Sequence, residues 1–335
     1  MNSTRCTINR GQLPPVCVSW ECEVRYSVAG GFALMRQFQV GVPGADHNVF
    51  CVAISPDGQR LVATVLHQGV YLWNLTDNSP PNPLPPNNAI FNNDFVFAPD
   101  GKLTWIDTYG RLAFDPVLGK VNKSPMKTGG AINTQIELSG NRLFTGHGFE
   151  RMGVGLWEKG RKKEWDKVWF FDFRGSFHGV ATGFHADRFY LLHGKRASNL
   201  NLLLTARAFS DREIIAEVPF PSTGLTRMRA PPDGSFVVGM INATLIVWRP
   251  GEKLKEVRPG GRKTIRDLAF HPSGKYLAIV GNDRTVRLLD VGSWKPVKQY
   301  AWKLGHLYAV AFSPDGTLAA AGGENGQVVV WDVDV

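Results

Sequence analysis

A short turn motif, Ser-Pro-Asp-Gly or a close variant of it, recurs along this chain about every forty residues. Its copies end at Gly58, Gly101, Gly234, Gly274 and Gly316. Three of the intervals between neighbouring copies are 43, 40 and 42 residues, and the remaining interval of 133 residues leaves room for two degraded copies. A fixed period of this length is typical of repeat architectures, in which each repeat is one supersecondary unit. The period therefore predicts seven structural units.

Each copy predicts β-hairpins rather than helices. A short apolar run with a small residue precedes the turn, and a second apolar run follows it, as at residues 310–312 and 318–320. Proline presets φ at the second turn position and glycine accepts the positive φ that closes the turn. A third run ends in an aromatic residue or leucine and a polar residue, as in Trp73-Asn74 and Trp331-Asp332. No long segment has helical periodicity, so we expect few helices.

These repeats resemble those of WD-repeat β-propellers, in which each repeat supplies one four-stranded blade around a central channel. The resemblance covers about residues 34–335 and is weakest in the fourth copy, at residues 183–187. It implies an all-β fold, a seven-bladed β-propeller of four-stranded antiparallel blades that occupies residues 31–335. Gly44-Ala45 and Gly260-Gly261 stand where the family often has Gly-His, so we expect stability to rest mainly on apolar packing between blades.

The ends of the chain predict how the ring closes. The last repeat stops at residues 331–335, one strand short of a complete blade, and residues 33–40 read as the missing outer strand. Pairing the two ends would close the ring with an N-terminal strand and remove exposed sheet edges, which otherwise promote aggregation.

Residues 1–30 lie outside the repeats, and we expect them to be a poorly ordered N-terminal extension; Met35 is an alternative start. The extension holds Cys6, Cys17 and Cys22 without a C-x-x-C motif, so reduced thiols are favoured over a zinc site. Four loosely spaced cysteines fit a cytoplasmic protein. No stretch approaches the roughly 18 apolar residues that span a membrane, and we expect no cofactor and no metal.

The net charge of +9 raises the alternative of an anion-binding or nucleic-acid-binding protein. The basic residues form two clusters, which are Lys159, Arg161, Lys162 and Lys163, and Lys253, Lys255, Arg258, Arg262, Lys263 and Arg266. Affinity for nucleic acid grows with the number of phosphates that one surface contacts. Because the clusters divide between opposite faces of a propeller, we interpret them as solvated loop charge and expect no nucleic-acid partner.

The sequence contains none of the common catalytic motifs, so we expect no enzyme activity and no catalytic residue. The alternative is a site at the channel mouth around His178 and His193, which lacks a carboxylate to complete a metal centre. Two segments read as insertions between strands. Residues 79–86 are proline-rich and extended, and residues 146–151 lengthen a turn in the third repeat.

The resemblance implies a non-catalytic scaffold, a monomeric propeller that binds protein or peptide partners on the loop face around its channel. In this family, contacts concentrate in the loops entering the inner strands and in the tight turns after the second strands. The matching positions here are Asn48, Arg262, Thr264 and His306 from the loops, with Ile241, Asn282 and Glu324 from the turns. Arg262 is the predicted energetic anchor, since arginine is enriched at binding hot spots.

Overall fold

The regular secondary structure of the described residues is almost entirely β-strand. The computed structural model describes residues 22–28, 31–40, 47–66, 68–77, 79–84, 96–97, 101–107, 110–115, 119–125, 132–139, 142–149, 151–159, 165–173, 175–194, 201–221 and 224–335. Within these ranges the only helical segment is a 3-10 turn at Glu324–Gly326, which agrees with the expected scarcity of helices. No helix in the same ranges is both long enough and apolar enough to cross a membrane.

The strands follow one another in a regular order. The first two are β1 (Cys22–Val28) and β2 (Gly31–Gln39). The next three sets are β3 (Val49–Ile54), β4 (Arg60–Val65), β5 (Gly69–Asn74) and β6 (Asn82–Pro83); β7 (Val96–Phe97), β8 (Leu103–Asp107), β9 (Gly110–Asp115) and β10 (Lys120–Pro125); and β11 (Ile132–Ser139), β12 (Arg142–Phe149), β13 (Arg151–Lys159) and β14 (Trp165–Asp172).

The second half of the chain repeats the pattern. Its strands are β15 (Phe177–Thr182), β16 (Arg188–Gly194), β17 (Leu202–Ala208) and β18 (Ile214–Phe220); β19 (Arg227–Arg229), β20 (Val237–Ile241), β21 (Thr244–Trp248) and β22 (Lys255–Val257); β23 (Ile265–Phe270), β24 (Tyr276–Gly281), β25 (Val286–Asp290) and β26 (Pro296–Tyr300); and β27 (Leu307–Phe312), β28 (Leu318–Gly323) and β29 (Gln327–Asp332).

These strands form antiparallel sheets in which chain neighbours pair. Six sheets have four strands each, and the last has five in the order β1-β2-β29-β28-β27. In that sheet the N-terminal strand β2 pairs with β29, with Met35 opposite Trp331 and Gln39 opposite Gln327. Most first strands of successive sheets also touch, β11 contacts β8 of the sheet before it, and β27 of the last sheet contacts β3 of the first.

The recurring turn motif forms tight turns, as its residues predict. The backbone N–H of Gly58 donates to the Ser55 carbonyl at 2.9 Å, and Gly316 donates to Ser313 at the same distance. Both glycines have positive φ, 67° and 77°, where a side chain would be strained. The Ser313 hydroxyl accepts from the backbone N–H of Leu318 at 2.9 Å and so ties the two strands together.

The hydrophobic core is divided among the interfaces between neighbouring sheets. Phe38 and Trp73 pack in the interface of the last and first sheets, with ring centroids 5.8 Å apart. Trp248, which ends the third strand of its sheet, packs against Tyr190 of the preceding sheet. Both tryptophans are 1% exposed, and burying a large apolar side chain contributes about 1.5–3 kcal/mol. The third-strand aromatic residues of the motif are therefore packing residues.

The two segments interpreted as insertions belong in part to strands. Asn82 and Pro83 form β6 and pair with β5, and Leu84 is buried beside them. Proline is tolerated there because β6 is an edge strand. In the third sheet, β12 extends to Phe149 and β13 begins at Arg151, and the glycines make room for aromatic side chains. A Cβ atom at Gly146 would lie 2.7 Å from the Phe177 ring.

The N-terminal region contributes a strand before residue 30. Residues 22–28 form β1, which pairs with β2 along its whole length, from Cys22 opposite Gln37 to Val28 opposite Gly31. A strand of this kind carries no repeat signal, which is why periodicity gave no sign of it. Residues 1–21 lie outside the described ranges, and the domain boundary at residue 30 stays a prediction.

Candidate functional site

The residues predicted to bind partners lie at one end of the sheets, which we call the loop face. It consists of the loops that lead into the first strands and the turns that join second to third strands. Asn48, Thr264 and His306 directly precede β3, β23 and β27. Ile241 ends β20 and Asn282 follows β24, while Glu324 follows β28. The opposite end carries the Pro-Asp-Gly turns, and we call it the turn face.

Hydrogen bonds bring several of these residues together. The backbone N–H of Asn282 donates to the Thr264 carbonyl at 3.0 Å, so loop and turn are joined within one sheet. His306 Nδ1 lies 2.9 Å from Glu324 Oε1 in the last sheet. Ile265 donates to the Asn242 carbonyl at 2.7 Å and so connects two sheets beside Ile241. Arg262 is exposed and has no hydrogen bond or ion pair with the described part of the chain.

Five of the described first strands carry a β-bulge at the same place near the loop face, and three of them, β3, β23 and β27, lie in neighbouring sheets. In these three strands the pairing register shifts between Val49 and Cys51, between Ile265 and Asp267, and between Leu307 and Ala309. Their bulged residues are Phe50, Arg266 and Tyr308. A bulge leaves its extra residue outside the ladder and re-aims the side chain. Phe50, Arg266 and Tyr308 occupy the same position in their repeats, which an alignment of the repeats could have shown. They were not among the predicted binding residues.

The three bulged residues contact one another across sheet boundaries. The rings of Phe50 and Tyr308 meet edge to face with centroids 5.3 Å apart. The Arg266 guanidinium carbon lies 5.7 Å from the Tyr308 ring centroid, within the range of a cation–π interaction. Arg266 Nε also donates to Asn282 Oδ1 at 2.9 Å. Phe50, Tyr308, Arg266 and Asn282 therefore form one connected row along the loop face.

A buried arginine holds the loop that carries Arg262. Arg287 is 7% exposed, and its Nη2 lies 2.6 Å from Asp283 Oδ2. Its Nη1 donates to the carbonyls of Pro259, at 3.0 Å, and of Gly260. Gly260 and Gly261 have φ of 94° and 80°. The double glycine that replaces the expected Gly-His pair thus lets the backbone wrap over a guanidinium, a contact that sequence reasoning missed.

A second buried charge connects three sheets below the loop face. Asp267 is 3% exposed, and its Oδ1 accepts from Arg227 Nη1 at 2.7 Å and from the backbone N–H of Leu268 at 2.8 Å. Its Oδ2 accepts from the backbone N–H of Val310 at 3.0 Å. A buried carboxylate requires such partners because desolvation of an unpaired charge is costly. Asp267 therefore fixes β19, β23 and β27 relative to one another.

A cavity of about 410 Å³ lies between the first strands β3, β7, β15, β19, β23 and β27. Arg227 and Asp267 line its wall, and most of the other lining residues are apolar. Towards the turn face the lining includes Phe184, Phe270 and Phe312, of which Phe184 is 47% exposed. Among its described lining residues, the charged side chains are Arg227, Arg229 and Asp267.

The histidines considered as an enzyme site lie in the fourth sheet. His178 Nε2 is 2.8 Å from the Ser176 hydroxyl, and burial lowers the pKa of His178, which favours a neutral ring. The ring of His193 packs 5.2 Å from that of Phe173. No group of three or more His, Cys, Asp or Glu side chains that could hold a metal ion occurs among the described residues.

The two basic clusters differ in what the structure describes. Arg161, Lys162 and Lys163 lie outside the described residues. In the other cluster, Arg258 lies 3.7 Å from Glu256, while Arg262, Lys263 and Arg266 reach the loop face. The structure therefore describes the surroundings of the basic residues on the loop face but not those of Arg161, Lys162 and Lys163.

Two family models match parts of this chain. The model "WD domain, G-beta repeat" matches residues 38–74 and 294–332. The model "Anaphase-promoting complex subunit 4 WD40 domain" matches residues 242–307. Together these ranges include every predicted binding residue except Ile241.

Individual relatives match over shorter stretches. The serine-threonine kinase receptor-associated protein of Gallus gallus is 27% identical over 128 residues, which cover 37% of this chain and 36% of that protein. WD repeat-containing protein VIP3 of Arabidopsis thaliana is 33% identical over 98 residues, covering 29% and 30%. Small ribosomal subunit protein RACK1 of Caenorhabditis elegans is 32% identical over 72 residues, covering 21% and 22%. The matches thus span little more than a third of these relatives.

Proposed function

We propose that this chain, which belongs to the WD-repeat family, is a non-catalytic platform that binds protein partners on its loop face. Proteins of this family typically work in this way. Two of the relatives have names that describe association with a kinase receptor and a place in the small ribosomal subunit. Both names refer to proteins that work in contact with other macromolecules.

We infer further that the sheets are seven blades of one closed propeller. The described residues form seven antiparallel sheets in chain order. Most of their first strands touch the next one, β11 contacts β8, β27 contacts β3, and β2 extends the last sheet by pairing with β29. A closed ring protects the edges of the first strands at the channel and gives the loop face a rigid support.

The observation that carries the functional proposal is the construction of the loop face. Exposed and half-buried side chains at equivalent positions of successive sheets contact one another, as Arg266 contacts Tyr308. The backbone beneath them is fixed by the partners of Asp267 and Arg287. A rigid surface of mixed polarity binds a protein at a lower entropic cost than mobile loops do.

The test is partner capture with a loop-face variant and a turn-face control. Arg262→Ala with His306→Ala should weaken capture of the principal partner about tenfold, since loss of one anchor residue commonly costs more than 1 kcal/mol. The free energy of unfolding should change by less than about 1 kcal/mol, because the His306–Glu324 pair is partly exposed. Quantitative mass spectrometry of the captured proteins and thermal denaturation are the measurements.

The matched control is Lys275→Ala with Lys295→Ala, which alters exposed cations of the same sheet on the turn face. This control should leave capture unchanged. Loss of capture in the control alone would place the binding site on the turn face. Full capture by both variants would contradict binding on the loop face through Arg262 and His306.

A further inference from the structure

The loop face of the last two sheets has an excess of positive charge. Within residues 224–335, each acidic side chain at this end is engaged by a neighbour: Asp267 by Arg227, Asp283 by Arg287, Glu256 by Arg258 and Glu324 by His306. Other cations at the same end are exposed and form no ion pair with the described part of the chain; they are Arg262, Lys263, Arg284 and Lys303. The uncompensated charge of this surface is therefore positive.

Arg266 lies on the same face as these cations and is held in one orientation. Its Nε donates to Asn282 Oδ1, and its guanidinium lies over the Tyr308 ring. Its two Nη groups donate to no acceptor among the described residues. Arginine presents its donors as a planar fork that matches the two oxygens of a carboxylate. An exposed arginine whose Nε is occupied and whose Nη groups are unused is thus prepared for a ligand with that geometry.

The groups that orient Arg266 are themselves fixed. Asn282 is tied to Thr264 through its backbone, and the Tyr308 ring rests against Phe50. Binding therefore requires little further ordering of the arginine side chain, which otherwise loses rotamer entropy when it is immobilised. Positive charge around the fork raises the association rate of an oppositely charged segment.

We propose that this part of the loop face binds an acidic protein segment, with the Arg266 Nη groups holding one aspartate or glutamate carboxylate. Arg262, Lys263, Arg284 and Lys303 attract the neighbouring carboxylates of the same segment. The proposal rests on the proposed function of the loop face and names the chemical class of its partner. Arg266, rather than Arg262, is the anchor in this arrangement, because Arg262 has no contact that orients it.

Nucleic acid fits this surface less well than an acidic peptide does. Single-stranded nucleic acid is bound by aromatic rings that stack on successive bases. Tyr308 is already engaged by Phe50 and Arg266, so it does not present an open stacking surface. An isolated fork flanked by flexible lysines and arginines suits carboxylates at irregular spacing.

The test is fluorescence anisotropy with the full chain and a short fluorescein-labelled peptide of alternating glutamate and leucine. The glutamate peptide should bind at least about tenfold more tightly than a peptide in which glutamine replaces every glutamate. Added salt should weaken the binding of the glutamate peptide. Lys263→Glu with Arg284→Glu should reduce its affinity by more than about tenfold. The matched control, Lys275→Glu with Lys295→Glu, makes the same charge change on the turn face and should stay within about twofold.

Arg266→Lys tests the fork itself, because it keeps the charge and removes the bidentate geometry. It should weaken the glutamate peptide about fivefold at constant salt. Equal affinity for the glutamate and glutamine peptides, or equal loss in the turn-face control, would overturn the proposal. So would tighter binding of single-stranded DNA than of the glutamate peptide. An Arg266→Lys variant that binds like the parent chain would refute the role of the fork.

The two experiments fail in distinguishable ways. If capture depends on Arg262 and His306 but the glutamate peptide shows no preference, the loop face binds partners of another chemistry. If the peptide binds through Lys263 and Arg284 while capture is unaffected, an acidic-ligand site exists and the platform proposal in its present form is wrong.

Discussion

The aspartate of the turn motif acts on its own turn. Asp315 Oδ1 accepts from the backbone N–H of Thr317 at 3.0 Å and from the Thr317 hydroxyl at 2.9 Å. The hydrogen bond from the Ser313 hydroxyl is the main reason that the pKa of Asp315 is lowered, and the bonds from Thr317 add to it. The ionised carboxylate is thus favoured in the folded chain.

This shift predicts a pH-dependent contribution to stability. Because the folded pKa lies below the ordinary value of 3.8, the contribution is fully present above that value and is lost as the pH falls through the folded pKa. Asp315→Asn should therefore cost about 0.5–1.5 kcal/mol at neutral pH and progressively less in acid. Denaturant unfolding of both proteins across the acid range is the measurement.

Glu252→Gln is the charge-matched control, since Glu252 is exposed and its side chain has no partner among the described residues. Its unfolding curve should follow that of the parent chain at every pH. A difference between Asp315→Asn and the parent that persists undiminished in strong acid would contradict the assigned role of the carboxylate.

At the scale of strands and sheets, small residues set how closely neighbouring sheets approach. A Cβ atom at Gly183, after β15, would lie 2.1 Å from the Pro231 carbonyl oxygen and 2.7 Å from the Gly234 nitrogen. Both are backbone atoms of the turn in the next sheet, which cannot move independently. Gly183→Ala should therefore destabilise the chain by about 1–3 kcal/mol through overpacking, as measured by thermal or denaturant unfolding.

Gly292→Ala is the control for this prediction. A Cβ atom there would meet only the Asp290 carboxylate oxygen at 3.4 Å, and stability should change by no more than about 0.5 kcal/mol. If the two alanine variants unfold alike, close approach of the fourth and fifth sheets at Gly183 does not limit stability.

At the scale of the whole molecule, the pairing of β2 with β29 joins the N-terminal and C-terminal parts of the chain in one sheet. Phe38 is buried against Trp73, and the backbone N–H of Val40 donates to the Gly326 carbonyl at 3.0 Å. Deleting residues 1–42 removes ladder hydrogen bonds of about 0.5–1.5 kcal/mol each and the burial of Phe38, about 1.5–3 kcal/mol. Against a typical stability of about 5–15 kcal/mol, this loss should open the ring or cause aggregation.

Deleting residues 1–30 is the comparison, because it removes β1 and keeps β2. The last sheet then has four strands like the others, and the melting temperature should fall much less than after the longer deletion. Soluble yield and melting temperature of the two truncations are the measurements. Should the longer truncation melt like the full chain, β2 does not close the ring.

The sequence by itself determined the repeat and the turns, and its resemblance to WD repeats indicated the end of each sheet where the candidate site is predicted. These are local properties: glycine and proline act on their own dihedral angles, and alternating apolar residues form strands wherever the chain continues. The Trp73 and Trp331 strands, the turns at Gly58 and Gly316, and the position of Thr264 beside Asn282 all follow from such rules. These local rules did not predict β1, because this strand lies outside the repeats.

Only the tertiary structure decided which side chains meet across sheets. Arg266 over Tyr308, Asp267 at the Val310 backbone and Gly183 against Pro231 join residues about one repeat apart or more, and no local pattern encodes those contacts. They depend on the twist and spacing of whole sheets, which arise from the sum of many packing interactions. Arg262 was therefore predicted as the anchor from residue type alone, whereas contacts between sheets orient Arg266.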